Sequence, residues 1–420
     1  MDKFIEYLES EFEKIQTESE VRKQAFEDFK SAGFPTTKHE EWKYTNLKNV
    51  FQNSFDSHAK SDLTAEEIRS QLAIYQAVEA NILVFLNGNY LPELSKIVSA
   101  DKDLHIQNLS QPNEISQKHF AKYAPAHEAF VALNTAFANG LLLKISKNTV
   151  LEKPIIFHFL NDSTQANPLL QVRNLIVLEK SSQATIIENF VSIGQNLSLS
   201  NLVSEIIVEE NAQLDHYKLQ NEGENAIHVG TTQIEIAQNG KASNTTISLG
   251  GKMIRNNLNM VLNGENCEAY MNGLYMPNGN THIDNHTAVD HAKPNSYSNE
   301  LYKGVLADKS TGVFNGKIFV RKDAQKTNAF QSNKNILLSE NASVNTKPQL
   351  EIWANDVKCS HGCTIGALDE EPLFYLQSRG IPKEKARKML LFAFVGDVLD
   401  RLKSDFVRNL VNDSIEKKLA

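Results

Sequence analysis

Hydrophobic and polar positions change rhythm twice along this chain. Residues 1 to about 31 carry Phe4, Leu8, Phe12, Ile15, Phe26 and Phe29 among many Glu, Lys and Gln, a helical spacing with a solvated opposite face. A helix or helical pair is expected there. Gly33, Phe34 and Pro35 break the pattern, and a polar-aromatic stretch, KHEEWKYTNL, leads to a second helical run over about 64–80 with Glu66 and Glu67 in its first turn. The apolar run 82–86 closed by Asn87-Gly88 reads as a strand and tight turn.

From about 141 to 360 the helical period disappears and short alternating segments recur, among them LIVLEK, ATIIENF, SEIIVEE, QLDHYKLQ, GVFNGKIFV and QLEIWA. This predicts a long all-β region. It holds 25 Asn between 189 and 349, a density that a parallel β-helix accounts for. Each coil must turn sharply, Asn tolerates the left-handed backbone, and stacked Asn side chains can bond from coil to coil. Small residues that open strands, Ala184, Ala212, Ala242, Cys267 or Ala269, Ser310 or Thr311, and Ala342, recur mostly at about 25 to 30 residue spacing, a solenoid period. Ile186, Val208, Leu262 and Ile318 are then expected to point inward, with parallel pairing across successive coils. A large antiparallel sandwich or barrel remains open on these features alone.

After Gly366 the texture returns to helix. Asp369 is placed to cap, Pro372 lies in the first turn and Arg379-Gly380 ends the element. Pro382 opens a second helix, KEKARKMLLFAFVGDVLDRL, whose Leu390, Leu391, Phe392, Phe394 and Val395 leave almost no polar face. Either this hairpin folds back on the chain or a partner covers it.

The 420 residues carry a net charge of −8, which removes the basic footprint that nucleic-acid binding requires. No apolar run is long enough for a membrane span and the N-terminus lacks a secretory h-region. Three cysteines, Cys267, Cys359 and Cys363, fit a reducing compartment better than a disulfide framework. A cytoplasmic protein is expected.

Enzyme signatures are absent. GVFNGKI at 312–318 lacks the glycine spacing of a phosphate loop and has Ile318 where Ser or Thr should follow Lys317. In HIDNHTAVDH, strand alternation puts His282, Asp284, His286 and Asp290 on one face and Ile283, Thr287, Val289 and His291 on the other. The first face is a polar outer wall, an edge that contacts another subunit, or a site for a metal such as Zn or Fe(II), and ligation of one ion would need a kink. CSHGC at 359–363 offers thiolate and imidazole donors suited to iron and iron–sulfur chemistry, yet leaves a ligand position empty. The sharper reading is a reactive thiol or a site shared with a second subunit; the blander one is a buried inert thiol.

GFPTTKHEEWKYTNL, DNHTAVDHAKPNSYSNELYKGVL, GKIFVRKDAQKTNAFQSNKNILLSENASVNTKPQLEI and NDVKCSHGCTIGALDEEPLFYLQSRGI together resemble the SufB/SufD family over nearly the whole chain. The resemblance implies a mainly β fold, with a right-handed parallel β-helix core (126–362) between an N-terminal helical domain with a short strand (1–125) and a C-terminal helical domain (363–420). It implies a non-catalytic scaffold for iron–sulfur cluster assembly, paired with SufB through the β-helix and docked to the ATPase SufC through the C-terminal helices. By that resemblance His361 and Cys359 lie at the SufB contact and are the candidate iron ligands of a transient cluster shared with SufB. Leu390, Leu391 and Phe394 are the candidate SufC-docking residues. Cys363 departs from the family pattern, and an isolated chain could pair with itself. The competing reading, a cytoplasmic β-helix enzyme acting on polysaccharide, would usually bring secretion and paired carboxylates in an aromatic groove; this chain offers two Trp and a Cys/His cluster instead.

Overall fold

The structure, a computed structural model, describes residues 2–111 and 113–419. Its helices are α1 (Asp2–Ile15), α2 (Glu20–Ala32), α3 (Ala65–Gln71), α4 (Glu114–His119), α5 (Ala129–Phe137), α6 (Glu370–Ser378), α7 (Lys383–Leu399) and α8 (Asp405–Leu419). The early strands are β1 (Asn81–Leu86), β2 (Asn89–Tyr90), β3 (Leu104–Asn108), β4 (Leu141–Ile145), β5 (Ile155–Ser163), β6 (Leu169–Leu178), β7 (Gln183–Gly194), β8 (Ser198–Val208) and β9 (Gln213–Asn221). They continue as β10 (Ala226–Ile236), β11 (Lys241–Gly250), β12 (Met253–Leu262), β13 (Glu268–Tyr275), β14 (His282–His291), β15 (Tyr297–Leu306), β16 (Thr311–Val320), β17 (Thr327–Leu337), β18 (Ser343–Ile352) and β19 (Val357–Gly366).

Successive strands alternate between two sheets, β19-β17-β15-β13-β11-β9-β7-β5-β1-β2 and β18-β16-β14-β12-β10-β8-β6-β4-β3. From β4 and β5 onward every pair is parallel. The result is a β-solenoid of about eight turns, which excludes the antiparallel sandwich. Ile186, Val208, Leu262 and Ile318 are all at most 1% exposed and belong to one interior cluster with Phe157, Phe190 and Ile254.

The asparagines do what a coil needs. Asn148, Asn211, Asn239, Asn266 and Asn295 adopt left-handed backbone at φ +57° to +62°, a region asparagine enters at low cost. Their amides stack, with Asn266 donating to Asn239 (3.2 Å) and Asn239 donating to Asn211 (3.0 Å). The small-residue recurrence belongs to several columns rather than one. Ala242, Ala269, Ser298, Ala329 and Cys359 occupy successive paired positions.

Parallel sheets need cover on both faces, and the terminal helices supply it. Phe4, Leu8, Phe29, Phe34, Trp42, Phe51 and Phe130 pack on Leu199, Ile227 and Met253 of the β3–β18 sheet. On the other sheet, Leu391, Val395, Val398 and Val411 pack on Tyr217, Ile247, Leu274 and Leu301. The expected 64–80 helix is shorter: a Thr64/Glu67 capping box starts α3, but the chain tightens to a 3-10 turn at Leu72–Tyr75. That turn lets the Tyr75 hydroxyl reach His158 Nδ1 (2.8 Å) and the Asn189 amide (2.7 Å). Helices α6 and α7 form the expected hairpin, with Asp369 accepting from the Glu371 N–H and Gly380 at φ +86°; α8 has no counterpart in the sequence reading.

Candidate functional site

The two ends of the solenoid differ. At the first end β2 and β3 run antiparallel along β1 and β4 and close those edges. At the last end β18 pairs only with β16 and β19 only with β17, so each presents one unpaired strand edge among the described residues. Unpaired edges are ready templates for another chain.

Residues 359–363 lie on β19. Cys359 pairs in register with Ala329, His361 with Gln331 and Cys363 with Asn333. Because Ala329, Gln331 and Asn333 are buried interior residues, Cys359, His361 and Cys363 share the inward-directed face of a coil that has no successor. Cys359 is half-buried, packs against the interior cluster, and its thiol is pushed up by burial; it is held as the neutral thiol. His361 and Cys363 are exposed. Same-face residues two apart on a strand lie roughly 6.5 to 7 Å apart, so Cys359 and Cys363, four apart, lie about 13 to 14 Å from each other, beyond a shared ion. Among the described residues no group of three or more His, Cys, Asp or Glu comes together to hold a metal.

The alternative face, His282, Asp284, His286 and Asp290, is an outer wall roofed by the chain's own residues 40–45. Thr45 donates to Asp284 (2.5 Å) and meets His282 Nε2 (2.8 Å), and Arg255 pairs with Asp284 (2.5 Å) while stacking on Trp42. His286 bridges Asp284 (3.1 Å) and Glu41 (3.2 Å), and Lys317 also holds Glu41. Burial alone would raise the Asp284 carboxyl, yet Arg255 and His286 hold it well below the usual range. His286 and Lys317 keep Glu41 at about 2 against desolvation. Asp290 is clamped by Arg321 at 2.6 Å. These carboxylates are committed to cations of the same chain, so the polar-wall reading stands. A cleft of about 480 Å³ opens beside them, lined by Glu41, Arg255, His286, Lys317 and Phe319.

Alternation alone did not single out the charged interior. His216 and Lys218 of β9 face inward with Leu214, opposite Tyr217 and Leu219, which meet the C-terminal helices. Glu188 accepts from Ser204 (2.6 Å) and lies 3.5 Å from His216, and Glu222 lies 3.0 Å from His228. Burial opposes the charge on Glu188, but His216, Lys218 and Ser204 hold its carboxyl at about 2. The signal was present: QLDHYKLQ has polar residues on the same alternate positions as Leu214.

The candidate docking residues also separate. Leu391 is 2% exposed and packed on this chain's own sheet. Phe394 is half-buried beneath the Lys303 ammonium, 4.6 Å from its ring centre. Leu390 is half-buried at the edge of a groove with Ile365 and Leu368. The apolar surface left open on this hairpin is Phe374 (72% exposed), Tyr375 (56%) and Met389 (44%), residues the sequence reading passed over. No helix among the described residues is long and apolar enough to cross a membrane.

Two family models match. Residues 159–394 match the SUF system FeS cluster assembly SufBD core domain, and residues 3–157 match the SufBD protein N-terminal region. The chain is 32% identical over 393 residues to the iron–sulfur cluster assembly protein SufD of Escherichia coli (strain K12), covering 92% of this chain and 90% of that protein. It is 26% identical over 436 residues to SufD of Bacillus subtilis (strain 168), covering 99% and 97%. A SufBD family iron–sulfur cluster assembly protein of Synechocystis is 32% identical over 385 residues, covering 89% and 84%.

Proposed function

Because this chain belongs to the SufB/SufD family of iron–sulfur cluster assembly proteins, we propose that it is a non-catalytic cytoplasmic scaffold whose open coil is completed by SufB. One observation carries this reading. The last coil has two unpaired strand edges and carries Cys359 and His361 on its inward-directed face, where no further coil covers them, while among the described residues no metal-holding group of three or more His, Cys, Asp or Glu comes together. Continuing both sheets across that seam would satisfy the free backbone groups and bring a second set of donors to His361. The nascent cluster is cargo here, built at the seam and passed on.

The roles divide by exposure. His361, open to the seam, is the iron ligand or the proton carrier. Cys359, a neutral half-buried thiol at the end of the column Ala242, Ala269, Ser298, Ala329, is the lesser contributor, and Cys363 the least. The ATPase SufC docks on the exposed apolar patch Phe374, Tyr375 and Met389 with Leu390 at its margin, while Leu391 and Phe394 hold the hairpin in place from beneath.

The test is co-purification with SufB and SufC followed by anaerobic iron and acid-labile sulfide analysis. His361→Ala should keep the complex and lose most of the loading, Cys359→Ser should lose less, and Cys363→Ser least. Unimpaired loading in the His361 variant removes it from the mechanism. Phe374→Asp should weaken SufC binding with circular dichroism unchanged, whereas Leu391→Asp should unfold the hairpin.

A further inference from the structure

One column of interior residues runs to the seam from behind. Met271, Glu300, Gln331 and His361 occupy paired positions on β13, β15, β17 and β19. Glu300 is a buried carboxyl (2% exposed) with no ion-pair partner among the described residues. The neighbouring lysines face outward, Lys303 to Asp397 and Lys317 to Glu41. The Gln331 amide donates from Nε2 to Glu300 Oε2 at 2.7 Å. Glu300 Oε1 and Gln331 Oε1 are both buried without a partner. Space for the amide comes from the facing sheet, where a Cβ on Gly316 would come within 2.3 Å of Gln331 Nε2.

A primary amide has one donating and one accepting end. An ionised Glu300 takes the donating end, as observed, and leaves the carbonyl as the group that can serve the next coil. A protonated Glu300 gains an O–H to donate, for which the unpartnered Gln331 Oε1 and Thr287 hydroxyl are the acceptors at hand; where Gln331 takes it, the amide turns and offers its NH₂ onward. We propose that Glu300 is a positioning residue for His361, acting through the Gln331 amide to decide whether the seam is offered a hydrogen-bond acceptor or a donor. This rests on the assembly reading of His361.

Glu300 is suited to the task because burial pushes its carboxyl up to about 7, outweighing the Thr287 hydroxyl that faces it from β14 and the Gln331 amide, both of which favour the charged form. The other titratable groups facing this stretch hold constant charge near neutrality. Burial raises Tyr302 of β15 and Tyr275 of β13, and pushes His291 of β14, bonded to Ser298, down to about 4.

The test follows the carboxyl and the imidazole by NMR in the full chain, with Glu300→Gln and His361→Asn assigning the two signals. Wild-type His361 ring signals should show a chemical-shift transition at the Glu300 midpoint. That transition should vanish in Glu300→Gln and shrink to the part the charge alone produces in Gln331→Met, which keeps the Glu300 charge but has no amide. Its survival at full size in Gln331→Met means the field alone couples the two groups and overturns the proposal; its survival in Glu300→Gln overturns it outright. Should Glu300→Gln not fold, Gln331→Met still decides. Cluster loading separates the two readings. If His361→Ala loads normally while the transition behaves as expected, the switch stands and the assembly role of His361 falls. If loading requires His361 but both interior variants leave its signals unchanged, the switch falls alone.

Discussion

The first and last coils of this solenoid are built from the same strand grammar and finished in opposite ways. At the first, β2 and β3 cap the edges, and, one and two coils further in, the 121–124 segment lies over Arg173 of β6 and Glu205 of β8, an ion pair with neither side chain more than 1% exposed. Glu205 there also accepts backbone N–H bonds from Ala121, Tyr123 and Ala124 at 3.0 to 3.1 Å. At the last, β18 and β19 keep free edges, and Ile352, Trp353 and Ile365 stand 39 to 49% exposed. The two ends thus differ along one axis: the wrapped end is covered by this chain's own segments, and the open end leaves its edge groups unpaired among the described residues.

The sharpest way to break this contrast is at the wrapped end. Glu205→Ala strands a buried guanidinium and three N–H groups and should cost about 3 to 5 kcal/mol in denaturant midpoint analysis. A loss below about 1 kcal/mol would mean that the 121–124 segment is a loose cover. A smaller effect separates the interior charges by pH. Glu188, held below its unfolded value, stabilises above about pH 4.5, and that contribution is lost as pH falls toward about 2. Glu300 is raised, so the native state binds more protons than the unfolded chain between about 4.5 and about 7, and stability falls as pH rises through that window. The Glu300 contribution is on the order of 3 kcal/mol, and Glu300→Gln should abolish the decline; an unchanged profile would place the titration elsewhere. The smallest effect belongs to the open end. Ile352→Lys should change the isolated chain by no more than about 0.5 kcal/mol, yet lower SufB co-purification. A large loss of stability there would show that the edge is packed by this chain after all.

Much of the solenoid was legible because alternation and asparagine-rich turns are local properties. Asn211, Asn239 and Asn266 announce their left-handed turns by residue type, and Ile186 or Leu262 announce the interior by parity. Parity, however, names two faces without saying which is covered. Tyr217 and Lys218 are both buried, one under helices almost two hundred residues further along the chain and one in the charged interior, and the parity of QLDHYKLQ separates the two faces without saying that both are covered. The same limit hid the site. Leu391 and Phe374 are equally apolar in sequence, but only the fold shows that the first is occupied and the second open. Asp284 looked like a ligand until Arg255 and Thr45, distant in sequence, claimed it.

The C-terminal helices carry a consequence for how the molecule comes apart. Stacked repeats can fray one unit at a time from a free end, because each touches only its neighbours. Here the segment after α6 straps several units together: Lys303 bonds Asp397 at 2.5 Å, Arg401 bonds Asn272 and Asn299 at 2.9 and 2.7 Å, and Lys403 reaches Asp215 at 2.6 Å. Strands β9 to β15 are bound into one cooperative block, and breathing motions should stop at that strap. Amide hydrogen exchange should therefore fall into two classes, rapid in β18 and β19 and slow from β15 inward, so that the last coil can loosen and reseal without the rest of the stack following it.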